Sequence, residues 1–244
     1  MSLSPDFLQP ELSLRGVDRF LCRKAILDAL QEQLPNFTGR LLDVGCGQKP
    51  YRQLLLEPPS RVTEYLGLDL HNSHYAQLEQ PDLEWDGLLM PLEADSIDCA
   101  IATEVLEQCP EPERLLSEVI RVLKPGGRFF FTIPFFWPVH DEPYDQYRFT
   151  PFALARHLQK AGFIQVEMKS LGGWDACLGQ MLGLWVRRRP NLPNALRTIL
   201  TCLAVPVVRL LKNTDTKPRI PEDFVGTTTM ITGISGIGFK SGIN

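Results

Sequence analysis

The stretch LLDVGCGQKPY, Leu41 to Tyr51, decides the fold. A short apolar run leads into an acid, then two glycines one residue apart, then a proline. Gly45 and Gly47 carry no Cβ, so the chain can turn tightly there and lie close to a ligand. Pro50 suits the first turn of a helix, where its missing N–H is no loss. This is strand, turn, helix, with a small ligand expected at the carboxyl end of the first strand of an open α/β sheet. The glycine pair alone also suits an ordinary strand-to-helix turn, so its meaning depends on the next segments of the chain.

The next such segment is EYLGLD, Glu64 to Asp69, which reads as a second buried strand ending in an acid. An acid about two dozen residues beyond such a turn can accept hydrogen bonds from both hydroxyls of a ribose. A nucleoside ligand is therefore expected. The dinucleotide fingerprint asks for a third glycine where this chain has Lys49 and Pro50, which weighs against NAD.

Taken in order, these segments resemble the class I S-adenosylmethionine (SAM) dependent methyltransferases, in their methyltransferase-11-like branch. Trp85-Asp86-Gly87 resembles the acid that meets the adenine edge after the third strand. IDCAIATEVLEQCPEP (Ile97 to Pro112) resembles the fourth strand and its adjoining loop. EVIRVLKPGGRFFFTIP (Glu118 to Pro134) resembles the helix, Pro-Gly-Gly turn and fifth strand. The resemblance runs from about Gly39 to Gly173. It implies SAM as cofactor, with Asp43, Gly45, Cys46 and Gly47 around the methionine part and Asp69 with Leu70 at ribose and adenine. Asp86 and Gly87 would lie by the adenine edge and Thr103 near the amino-acid end. Two residues depart from the family: Lys49 replaces a frequent glycine, and Gln108 comes after Glu107 where many relatives have histidine.

Composition agrees with a soluble globular protein. The 244 residues suit one domain, 44% of them are hydrophobic and 22% charged. A net charge of −4 argues against a nucleic-acid partner. Six cysteines without a C-x-x-C pair support neither a zinc site nor a redox motif, so no metal is expected. The polar, proline-broken start MSLSPDFLQPELS does not read as a signal peptide, and a cytoplasmic location is expected.

The periodicity predicts a helix over Gly16–Leu34, an N-terminal extension within residues 1–38, before a SAM-binding core over 39–173. Helices are also expected over Glu111–Leu123 and from Thr150-Pro151 to Ala161-Gly162, and further strands at Phe129–Ile133, Phe163–Met168 and Thr228–Lys240. The fold class is α/β: a Rossmann-like, seven-stranded, mostly parallel sheet with helices on both faces. The antiparallel last strand is what the resemblance adds. Residues 174–222 read as a helical insertion over the acceptor site, and 223–244 as the final strand.

Within that insertion, Ala176 to Thr214 holds no acid and six positive charges, which leaves about −10 for the rest of the chain. Leu196–Leu211 reads as too short and too charged to span a membrane. The segment is expected to cover the sheet as a lid, with a peripheral membrane contact as the alternative.

Chemistry on a SAM methyl needs an aligned acceptor and, for a hydroxyl, a base. The loop PFFWPVHDEPYDQYRFTP (Pro134 to Pro151) carries the candidates. His140 is the expected base, Asp145 its orienter, and Tyr147 and Arg148 the substrate contacts. The H-x-x-P-x-D-x-Y-R-x-T pattern resembles a branch acting near surface-glycan assembly, which implies a small-molecule, glycan or lipid-linked acceptor. A SAM-binding regulator without transfer activity and an NAD-dependent oxidoreductase are the other classes considered.

Overall fold

A computed structural model describes residues 7–71, 79–224 and 228–242. Seven strands form one sheet in the order β3-β2-β1-β4-β5-β7-β6. They are β1 (Thr38–Val44), β2 (Arg61–Leu70), β3 (Leu83–Trp85), β4 (Ile97–Thr103), β5 (Leu123–Pro134), β6 (Phe163–Ser170) and β7 (Gly233–Lys240). The first five pair in parallel, and β7 runs antiparallel to both β5 and β6. The Rossmann-like sheet and its antiparallel last strand are as the sequence led one to expect. The order turns back between β1 and β4, and the carboxyl ends of these strands form the edge where such sheets bind ligands.

Alternation along the strands builds two cores. Leu42, Val44, Phe129, Phe131 and Ile133 face α3 (Pro112–Val122) and α4 (Pro151–Ala161). Leu41, Ile101 and Phe130 face α1 (Phe20–Gln33) and the short α2 (Arg52–Leu56). With both faces covered, an apolar run such as Phe129–Ile133 is what a central strand requires. Thr150 caps α4 by accepting from the Ala153 N–H at 3.2 Å, and Gly162 ends it at φ +102°.

Boundaries differ from the sequence reading at β5, which begins at Leu123, six residues before Phe129, and takes in the Pro-Gly-Gly segment, and in three further places. Residues 16–19 form turns before α1, with the Arg19 and Phe20 amides donating to the Gly16 carbonyl at 3.0 and 2.9 Å. β7 starts at Gly233, five residues later than expected. The third difference is α6 (Asn194–Thr214), a helix of 21 residues, not the shorter span read from Leu196–Leu211. By length and composition alone it can cross a membrane. Part of the polar stretch His71–Pro81, residues 72–78, lies outside the described residues.

The insertion stacks outward. α5 (Trp174–Arg188) packs on α1 through two glycines: a Cβ at Gly183 would lie 2.4 Å from the Val17 carbonyl, and one at Gly179 3.0 Å from Leu21 Cδ1. α6 lies outermost, burying only Thr201, Ala204 and Val208.

Candidate functional site

The glycine turn closes over the end of β2. Gly45, at φ +67°, and Cys46 donate their amides to the Leu68 carbonyl at 2.8 and 3.1 Å. A Cβ on Gly45 would lie 2.6 Å from Val105 Cγ2, so only glycine fits. The next amide, Gly47, donates to Asp69 Oδ2 at 3.0 Å, and Leu70 N donates to Oδ1 at 2.7 Å. Asp69 is 8% exposed.

Lys49 takes a left-handed φ of +50°, and its ammonium meets Asp82 Oδ1 at 2.9 Å, while Asp82 Oδ2 accepts from Gly67 N at 2.7 Å. The position where a dinucleotide fingerprint needs glycine thus carries a buried cation that ties the turn to the start of β3. Behind it, Asp43 accepts from the Tyr65 hydroxyl at 2.6 Å, and burial pushes the Asp43 carboxyl up to about 7.

At the outer strands the edge becomes apolar. Leu70, Leu88 and Leu89 are exposed by 44%, 55% and 64% at the ends of β2 and β3. Gly87, at φ +83°, lies beside Leu70: its Cβ would be 3.6 Å from Leu70 Cδ2. Asp86 accepts from Leu88 N and Leu89 N at 2.8 and 3.2 Å, bonds that hold its carboxyl below the usual range. A buried acid beside an exposed apolar shelf fits a ribose and an adenine ring. The residues fit SAM on that chemistry.

The carboxyl end of β4 presents a second, acidic feature. Thr103 pairs with Thr132 as the last strand residue, and Glu104 comes next at φ +57° with its amide on the Thr132 carbonyl at 3.0 Å. Glu104 Oε1 and both carboxylate oxygens of Glu107 are buried without a hydrogen-bond partner among the described residues. Burial raises the Glu104 carboxyl to about 7, and burial plus the neighbouring Glu104 raises Glu107. Glu104 borders a concavity with Cys22, Pro134, Phe136, Trp137 and Gln180. Sequence reasoning missed both acids. Their position after a strand at the ligand edge was readable; their burial depends on α1 and α5, which the local pattern does not reveal.

The loop after β5 is organised around Asp145. Its side chain, 2% exposed, accepts from His140 N at 3.1 Å and His140 Nδ1 at 3.2 Å. Arg148 reaches the same carboxylate through both terminal nitrogens, at 2.5 and 2.8 Å, and holds it below the usual range. Arg148 also donates to the Tyr147, Trp137 and Pro138 carbonyls at 2.8, 3.3 and 3.2 Å. Its fork is committed within the loop. The loop is anchored to the segment after β4: Gln146 N and Tyr147 N donate to the Glu107 carbonyl at 2.8 and 3.0 Å, and the Tyr147 hydroxyl to Pro110 O at 3.1 Å. Trp137 of this loop walls the cavity, whereas His140, Asp145, Tyr147 and Arg148 do not line it.

Comparison with known proteins finds a domain match and partial relatives. Residues 42–131 match the methyltransferase domain Methyltransf_11. The ubiquinone biosynthesis O-methyltransferase of Coxiella burnetii is 27% identical over 115 residues, covering 43% of this chain and 48% of that protein. A phthiotriol/phenolphthiotriol dimycocerosates methyltransferase of Mycobacterium ulcerans is 33% identical over 103 residues, covering 38% and 36%. The chain thus spans about half the length, or less, of these relatives. Among solved structures, a SAM-dependent methyltransferase from Thermotoga maritima superposes with a TM-score of 0.54 at 17% identity, over 92% of both chains. The methyltransferase complexed with the Trm112 activator of Haloferax volcanii gives 0.56 at 16% identity, over 95% of this chain and 92% of that one. At these identities the superpositions establish the fold.

Proposed function

We propose that this chain, which carries a class I SAM-dependent methyltransferase domain over residues 42–131, moves a methyl group to an oxygen of a small-molecule, glycan or lipid-linked acceptor. The observation that carries the reading is Asp69, an acid buried at the end of β2 whose two oxygens gather the Gly47 and Leu70 amides beside the glycine turn. Asp69 would hold the ribose, Leu70 with Gly87 and Asp86 the adenine, and the turn Asp43–Gly47 with Thr103 the methionine part. When bound, SAM supplies a sulfonium methyl, whose carbon–sulfur bond breaks with its electron pair left on sulfur. The chain's own contribution is then alignment of the acceptor, exclusion of water and removal of the acceptor's proton. His140 is the candidate read from the sequence, but its Nδ1 lies 3.2 Å from Asp145 Oδ2, which braces the ring within the loop.

The test is methyl transfer from labelled SAM to sugar, lipid-linked and small phenolic acceptors. Incorporation into one class identifies the acceptor. Saturable SAM binding without incorporation into any would favour a regulator.

The insertion supports a peripheral membrane location for this chemistry, at the cytoplasmic face. Leu196, Ile199, Leu203, Val207 and Leu210 form an exposed stripe along α6, and Leu178, Met181 and Trp185 one along α5. Exposed Arg189, Arg209 and Lys212 accompany them, with no acid between Ala176 and Thr214. Apolar stripes among positive charges suit an anionic bilayer surface. α6 would lie in the interface, because its other face is packed on α5 through Thr201, Ala204 and Val208. Arg188 and Arg197 are engaged internally, on Asp18 Oδ2 at 2.8 Å and on the Arg189 carbonyl at 3.1 Å. Co-sedimentation with phosphatidylglycerol-containing vesicles should be strong at low salt. It should fade as salt rises, because the Debye length shrinks below about 8 Å. Leu203→Glu with Leu210→Glu should abolish it. A wild type that ignores vesicles at every salt concentration but forms a dimer would assign the face to a second copy of the chain.

A further inference from the structure

We infer that Glu104, and not the loop histidine, takes the acceptor's proton, and that the cavity it borders is the seat of a neutral, apolar hydroxyl compound such as a phenol. The inference rests on the methyl-transfer reading above and names its acceptor site. Glu104 lies one residue before Val105, which packs against Gly45, so its backbone stands beside the glycine turn assigned to the methionine part. The cavity is walled by Pro134, Phe136 and Trp137, which suit a flat apolar molecule, and Glu104 is the only carboxylate among its lining residues. Gln180, 1% exposed, donates its amide to the Asp18 carbonyl at 2.6 Å, which fixes α5 over the opening.

Two features mark Glu104 as more than a buried acid. It holds a left-handed backbone at the ligand edge of the sheet, a strained conformation that clusters at functional sites. Its Oε1 is buried without a partner among the described residues, where an unmade hydrogen bond is costly. An acceptor hydroxyl would supply that bond. In the reaction the acceptor's O–H bond would break with its proton passing to Glu104 Oε1, and the electron pair left on oxygen would bond to the methyl carbon as the carbon–sulfur pair returns to sulfur. The protonated carboxyl returns its proton to solvent when product leaves.

The surroundings suit that cycle. Burial favours the acid, while the Thr132 side chain and the charges of Arg23 of α1 and Arg148 of the post-β5 loop favour the carboxylate. Glu107, the Tyr51 hydroxyl and the Cys22 thiol are the titratable groups its charge reaches. The balance leaves Glu104 near 7, where a base is both ionised and able to hold a proton.

The probe is 4-nitrophenol, whose visible band reports its ionisation, added to the full chain loaded with S-adenosylhomocysteine. Wild-type protein should bind it with the phenolate band developed at a pH where free 4-nitrophenol is protonated. Glu104→Gln should weaken this at least tenfold with affinity for S-adenosylhomocysteine unchanged, and His140→Ala should leave it intact. Trp137→Ala, which opens the wall and leaves both acids in place, should weaken binding without removing the band. In ¹³C-carboxyl spectra of glutamate-labelled protein, a resonance titrating near 7 should vanish in Glu104→Gln. Loss of the band in His140→Ala alone, or no 4-nitrophenol binding by cofactor-loaded wild type, overturns the inference and leaves the methyl-transfer reading standing. Failure to bind S-adenosylhomocysteine at all overturns that reading instead.

Discussion

Asp69→Ala should raise the dissociation constant for SAM roughly thirtyfold or more, a loss of about 2 kcal/mol. The carboxylate is 8% exposed and already receives the Gly47 and Leu70 amides. A ribose hydroxyl would donate to an ionised acceptor there, and such hydrogen bonds are about twice as strong as neutral ones. The same change frees two backbone amides, so part of the loss will come from a loosened glycine turn. Asp69→Asn separates the contributions: it retains one carbonyl acceptor without the charge and should fall between wild type and alanine. Calorimetric titration reads all three. Equal affinity in all three proteins would remove Asp69 from the ligand site.

The second large effect concerns stability. Gly236→Val should destabilise the fold by about 3 kcal/mol or more, at the upper end of overpacking costs. Gly236 pairs with Phe131 across β5 and β7, and a Cβ there would lie 2.3 Å from Phe131 Cζ and 2.9 Å from the Glu167 carbonyl. The ring cannot retreat, because Phe131 packs at 5.5 Å against Phe129, which stacks at 5.2 Å on Phe163. Gly126→Ala provides the contrast: its φ is +76° but no atom lies within 4 Å of its Cβ, so the cost is about 1 kcal/mol of backbone strain. Thermal melts followed by circular dichroism should rank them in that order. A Gly236→Val melt within a degree or two of wild type would contradict the described packing of β7.

These glycines also explain where the sequence was hard to read. Along β5, the buried Phe129–Phe131 run announces a central strand by composition alone. β7 is equally central, flanked by β5 and β6, yet GISGIGFK looks weak because its glycines make room for Phe131 and Phe163. The reason for the pattern lies on other strands. The nucleoside side of the site was legible for the opposite reason: Gly45, Gly47 and Asp69 fall within one β-turn-β unit, so spacing along the chain fixes spacing in the molecule. Lys49 was legible only as a departure. Its role depends on Asp82, which the chain brings back at the start of β3.

The acceptor side is assembled from distant pieces, and there local motifs say least. Glu104 and Glu107 are buried by α1, α5 and the post-β5 loop, which lie far from them in sequence. His140, Asp145 and Arg148 stood out because they are close together, and that closeness serves the loop: Asp145 collects donors from both partners. A dense polar motif within a dozen residues reads as chemistry, although the same spacing is what an internally braced loop needs.

The most direct test of the central claim, that the β1 turn and Asp69 hold SAM, is calorimetric titration of the full chain with SAM and separately with NAD. The predicted result is a saturable one-to-one isotherm with SAM, competed by S-adenosylhomocysteine, and no heat of binding with NAD. Tight binding of NAD with none of SAM would contradict it.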